Sequence, residues 1–146
     1  MKKLLFALPM LLLGHSAVAQ NINPLIIGYM DIKDALVKSD SKTATTAILA
    51  LQALVQSEAT FPEKTALLDA LKPISKTNDL EKQRTAFADL STTLWKVVQR
   101  VGKTDKTVYY QYCPMKKAYW LSLEKEIKNP YYGSSMLTCG KIAETH

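Results

Sequence analysis

Residues 78–102 read NDLEKQRTAFADLSTTLWKVVQRVG, and their pattern decides the fold. Phe87, Leu90, Leu94, Val97, Val98 and Val101 return at steps of three and four, the interval that stacks side chains on one face of a helix. Asn78-Asp79 offers short polar side chains that accept hydrogen bonds from the free amides of a first helical turn. Gly102 stands where a glycine ends a helix in the left-handed conformation without a Cβ penalty. The stretch predicts the longest helix of the chain, with Trp95 beside the stripe and covering one edge of the core.

Toward the N-terminus the same period returns three times. Leu67, Leu71 and Ile74 mark a helix that the capping box Thr60-Phe61-Pro62-Glu63 starts near Pro62, hydroxyl and carboxylate each satisfying the other's backbone N–H. Pro73 removes a backbone donor inside that pattern and predicts a kink or an early end. Ala44, Ile48, Leu51 and Val55, widened by Ala47 and Leu54, define a helix capped by Asp40 or Ser41. Leu25, Tyr29, Ile32 and Leu36, flanked by Ile26, Met30 and Val37, define a first helix to about Lys38, with Pro24 at a tolerated first position. Four amphipathic helices on short polar links pack most economically as an antiparallel bundle over 25–102. The expected fold class is all-α: that bundle plus a C-terminal aromatic, Cys/Met-containing extension of short irregular elements over 106–141.

Ahead of the first helix, Met1-Lys2-Lys3, an apolar run from Leu4 to Leu13 and the small-residue sequence Ala17-Val18-Ala19 have the form of a secretory signal peptide cleaved near Ala19. The apolar run is too short to span a bilayer, and no later segment is apolar enough to do so. The expected mature protein is a single domain, 20–146, that is soluble and either periplasmic or secreted. Lys2 and Lys3 leave with the leader, so the net charge drops from +6 to +4, too small an excess to point to nucleic acid.

Beyond the polar turn at Lys103–Lys106 the helical period disappears. Val108-Tyr109-Tyr110-Gln111-Tyr112 is an aromatic, β-branched run that favours extended backbone. Ser122-Leu123-Glu124-Lys125 predicts a short helical turn, Asn129-Pro130 and Gly133 a bend, and Gly140 the end of the ordered part. The tail holds both cysteines, each within three residues of a methionine. On an extended strand Cys113 and Met115 share a face; on a helical turn Met136 and Cys139 do. A fold back through Asn129-Pro130 joins the pairs, and two thiolates with two thioethers form a soft donor set that selects Cu(I). Pro114 stiffens the backbone between the first pair, and Lys116-Lys117 favour thiolate at Cys113.

Tyr112-Cys113-Pro114-Met115, Trp120-Leu121-Ser122, Ile127-Lys128-Asn129-Pro130-Tyr131-Tyr132-Gly133 and Met136-Leu137-Thr138-Cys139-Gly140 together resemble the DUF3347 family. This is a bacterial exported domain, found alone and attached to periplasmic adaptor subunits of heavy-metal efflux systems. The resemblance extends over nearly the whole expected mature chain and is closest in this C-terminal block. It implies a helical bundle and a role in handling copper or a related metal outside the cytoplasm, with Cys113, Met115, Met136 and Cys139 as the metal ligands. With no adaptor domain after His146, the protein is expected to be a free metal-binding accessory, its partners the copper ion and a heavy-metal efflux or copper-handling protein of the envelope.

The competing reading is a structural disulfide, the default for two cysteines in an exported chain. Closing the 26 residues between Cys113 and Cys139 stabilises by about 3.5 kcal/mol in the chain-entropy model. The protein is then a disulfide-stapled interaction module whose aromatic tail docks on another envelope protein, without metal. Thiols that bind Cu(I) when reduced and bridge when oxidised reconcile the two. Trp120 as a cation–π cap over the ion gives way to packing on the bundle, and His146 reads as a frayed end. Tyr109, Tyr110, Tyr131 and Tyr132 read as core or rim of the tail. No enzyme is expected: there is no phosphate loop, no C-x-x-C, no Ser/His/Asp set, and His146 is the only histidine after the leader.

Overall fold

The computed structural model describes residues 21–146; the expected leader, 1–19, and its cleavage at Ala19 lie outside the described residues. Four helices come first: α1 (Asn23–Val37), α2 (Ser41–Ser57), α3 (Lys64–Ser75) and α4 (Leu80–Val101). Their stripes form one core, in which Leu25, Ile32, Leu36, Ile48, Leu51, Val55, Leu67, Leu71, Ile74, Phe87, Leu90, Leu94, Val97 and Val98 are buried. The ends follow side-chain chemistry. Asp40 accepts from the Thr43 amide at 2.9 Å and Asp79 from the Lys82 amide at 2.9 Å, as N-caps do. Gly102 closes α4 with a φ of 72°. In α3 the capping box at Thr60 does not form: the helix starts after Glu63, which makes no side-chain cap bond, and it runs past Pro73 to Ser75. Glu63 pairs instead with Arg100 at 2.9 Å.

The chain is not all-α, which corrects the expectation for the tail. Strands β1 (Tyr109–Cys113), β2 (Ala118–Ser122) and β3 (Lys141–Thr145) form an antiparallel sheet in the order β2-β1-β3. The expected helical turn at 122–125 is the end of β2 followed by a bend, whose Glu124 carbonyl accepts from the Gln111 amide nitrogen at 3.0 Å. The chain stays ordered past Gly140. His146 exchanges two backbone hydrogen bonds of 2.9 Å with Val108, so it extends the β1–β3 ladder and is no frayed end.

Aromatic and polar side chains join sheet to bundle. Trp95 of α4, 5 % exposed, stacks on Tyr110 of β1 at 4.6 Å, and Tyr110 stacks on Tyr119 of β2 at 4.6 Å. The outer edge of β2 is closed by phenols. The Leu121 amide donates to Tyr29 Oη at 3.1 Å, Tyr29 bonds Ser91 Oγ at 2.6 Å, and Ser91 donates to the Phe87 carbonyl at 2.8 Å. The Tyr131 hydroxyl donates to the Tyr119 carbonyl of the same edge. Strand edges left open template pairing with other chains; here that edge is spent internally. Arg84 makes a further tie, donating to the carbonyls of Pro130 at 2.9 Å and Leu36 at 3.1 Å and to Ser39 Oγ at 2.9 Å.

Candidate metal centre

Cys113 ends β1, opposite Ala118 in the hairpin register. Residues 114–117 turn the chain, with Lys117 at a φ of 55°. This turn aims the Lys116 amide at Cys113 Sγ, 3.3 Å away, while the thiol itself is fully buried.

Cys139 arrives from the other direction on a segment clasped by Asn129. The Asn129 side chain donates to the Cys139 carbonyl at 2.7 Å, and its backbone amide donates to the Leu137 carbonyl at 2.8 Å. Its Oδ1 accepts from the Tyr131 amide at 2.8 Å, so the wholly buried side chain is bonded at both ends. Gly140 then lets the chain pass close to the sheet: a Cβ there would lie 2.7 Å from Trp120 Cη2 and 3.1 Å from the Tyr112 carbonyl. Lys141 pairs with Tyr112 immediately afterwards, which fixes Cys139 beside the end of β1.

The two thiols are therefore neighbours. Cys139 lies close enough to Cys113 and to the Met115 amide for both to act on its thiol. Burial, ahead of the neighbouring Cys113, pushes the Cys139 thiol above its ordinary pKa, and the Met115 amide opposes that rise. Both cysteines are free thiols, Cys113 buried and Cys139 half-buried. Among the described residues, no three His, Cys, Asp or Glu side chains gather as a metal site. Any site here rests on the two thiols, with thioethers as the available additions.

The methionines stand differently from the sequence argument. Met115 lies in the turn, beyond the last residue of β1, so strand alternation does not govern it; its side chain is 63 % exposed. Met136 ends the single 3₁₀ turn Gly133–Met136, half-buried, and its carbonyl accepts from the Cys139 amide at 3.1 Å. Trp120 is fully buried and meets Tyr131 edge-on at 6.1 Å, so it packs within the fold. Three groups escaped the sequence reading: the Lys116 amide on Cys113 Sγ, the Met115 amide near Cys139, and the Asn129 clasp. Asn129-Pro130 signalled the bend, but the amide bonds depend on a hairpin register that spacing does not specify.

The family model for "Protein of unknown function (DUF3347)" matches residues 25–106. That span covers the four helices and stops short of the sulfurs, whereas the motif resemblance was closest in the C-terminal block. No curated protein and no solved structure matches the chain.

Proposed function

This chain belongs to the DUF3347 family, and from the meeting of its thiols we propose that it is an exported accessory protein that holds Cu(I) for transfer or sequestration. The carrying observation is the juxtaposition of Cys113 and Cys139, 26 residues apart in sequence, with the Lys116 amide donating to Cys113 Sγ and the Met115 amide near Cys139. Thiolate sulfur is a soft ligand suited to a monovalent, polarisable ion, and amides aimed at thiolates offset the charge left when both protons depart. Binding releases those two protons and leaves the ion between two sulfurs. Met115 and Met136 supply thioethers from the turn and from the 3₁₀ segment that flank the pair. Periplasmic location fits the leader-like N-terminus, and an envelope copper-handling or heavy-metal efflux protein is the expected partner. The protein acts as a carrier and not as a catalyst.

A second reading takes the two thiols, both free in this structure, as a pair that bridges on oxidation. Adjacent thiols in an oxidising compartment exchange with a disulfide-bearing partner, which takes two electrons and two protons and leaves a Cys113–Cys139 bridge. Protein isolated from the periplasm separates the readings. Two titratable thiols and stoichiometric withdrawal of Cu(I) from a chromogenic chelator, lost in Cys113→Ser, support the carrier. No titratable thiols until reduction, and no withdrawal afterwards, assign the pair to a structural bridge.

A further inference from the structure

We propose that the mouth of the thiol pair is a docking face for an acidic protein surface, the partner that delivers or receives the soft ion. The proposal rests on the carrier reading above. The segments that carry the thiols, 109–118 and 136–141, contain Lys116, Lys117 and Lys141 and no acidic residue; the nearest carboxylates in sequence, Glu124, Glu126 and Glu144, lie outside them. Lys128 is neutralised by Glu124 at 2.8 Å and Glu126 at 3.1 Å. Lys116, Lys117 and Lys141 form no ion pair among the described residues, where six ion pairs occur, two of them at Lys128. Their backbones surround the sulfurs: the Lys116 amide touches Cys113 Sγ, Lys117 turns the hairpin, and Lys141 pairs with Tyr112 two residues after Cys139.

The face is not purely ionic. Met115 at 63 % and Leu137 at 38 % are among the few large apolar side chains left exposed, and they stand on the two segments that carry the cysteines. A free anion would use the lysines and ignore these side chains; a folded partner would use both. Cationic groups around a small apolar centre steer an anionic surface and raise its encounter rate, an effect that salt weakens. Exposure falls from Met115 through half-buried Cys139 to buried Cys113.

Two Cu(I)-loaded donor peptides with one Cys-x-x-Cys core, flanked by glutamates in one and by lysines in the other, test this by stopped-flow transfer to the full protein. The glutamate donor is expected to transfer at least about tenfold faster at low ionic strength, the advantage shrinking as salt shortens the screening length. Lys117→Glu with Lys141→Glu, checked for native circular dichroism, is expected to remove that advantage while leaving equilibrium Cu(I) affinity within about threefold, as rim charges act on encounter. Equal rates for both donors on a protein that binds Cu(I) tightly overturn the docking face and leave the carrier reading standing. Binding to phosphatidylglycerol vesicles with no peptide preference overturns it in favour of a membrane. If Cu(I) is not bound, the carrier reading fails, and anisotropy of the metal-free glutamate peptide still decides the face: no salt-sensitive binding overturns it.

Discussion

Tyr29 is one phenol that serves both halves of the molecule. It comes from α1, accepts from the Leu121 amide of β2 and bonds Ser91 of α4, all with no solvent exposure. Tyr29→Phe keeps the ring and orphans a buried amide, so urea unfolding is expected to show a loss of about 1–3 kcal/mol. Burial, the largest cause, raises the Tyr29 pKa well above 10.0, and it raises those of Tyr110 and Tyr131 as well. A raised native pKa means that the fold holds the proton more tightly than the unfolded chain does. That stability is intact below pH 10 and drains away as the pH climbs past the unfolded value. Alkaline denaturation is therefore expected to begin above about pH 10, with a shallower pH slope in Tyr29→Phe; equal slopes would contradict the assignment. Asn129 acts on the site at this same scale. Asn129→Ala removes the clasp on the Cys139 carbonyl, and Cu(I) affinity is expected to fall by about tenfold with both thiols still present, the size of loss seen when groups supporting a metal ligand are removed.

At the level of elements, Gly133 shows how tightly the tail is seated on the bundle. Its φ is 55°, and a Cβ would lie 2.8 Å from the Val37 carbonyl, 2.8 Å from Ser39 Oγ and 2.9 Å from Arg84 Nη2. Gly133→Ala combines backbone strain with a clash against fixed atoms at the end of α1, an expected cost of about 2–4 kcal/mol in chemical denaturation. The helices were legible because their signal is local: the stripe of α4 and the Asp40 and Asp79 caps need only neighbours three or four residues away. The sheet was half legible. The run before Cys113 announced extended backbone, but β3 has all five residues exposed and so carries no alternation. It is a strand because its backbone bonds β1, and pairing across 29 to 36 residues leaves no mark on a segment whose residues are all exposed. The site divides the same way. Cysteine chemistry made Cys113 and Cys139 the candidates, whereas the turn position of Met115 and the Lys116 amide on Cys113 Sγ came with the hairpin.

Over the whole molecule, the family match ends at residue 106, in the link between α4 and β1. Helices and sheet nonetheless share buried structure: Arg84 bonds carbonyls on both sides, and Trp95, Tyr110 and Tyr119 stack in one column. Parts that share a core unfold together. Helical far-ultraviolet and aromatic near-ultraviolet circular dichroism are thus expected to give coincident urea transitions, and a separate early aromatic transition would show the sheet to be an independent appendage. No helix among the described residues is long and apolar enough to cross a membrane. The sheet's part in this arrangement is to bring distant sulfurs to one point, which is where the functional proposal stands or falls. The most direct measurement is copper K-edge X-ray absorption on the Cu(I)-loaded protein. A first shell of sulfur alone is expected, replaced in Cys113→Ser and in Cys139→Ser; nitrogen or oxygen neighbours in the wild type, or a spectrum indifferent to both substitutions, would rule out Cu(I) held by the two thiols.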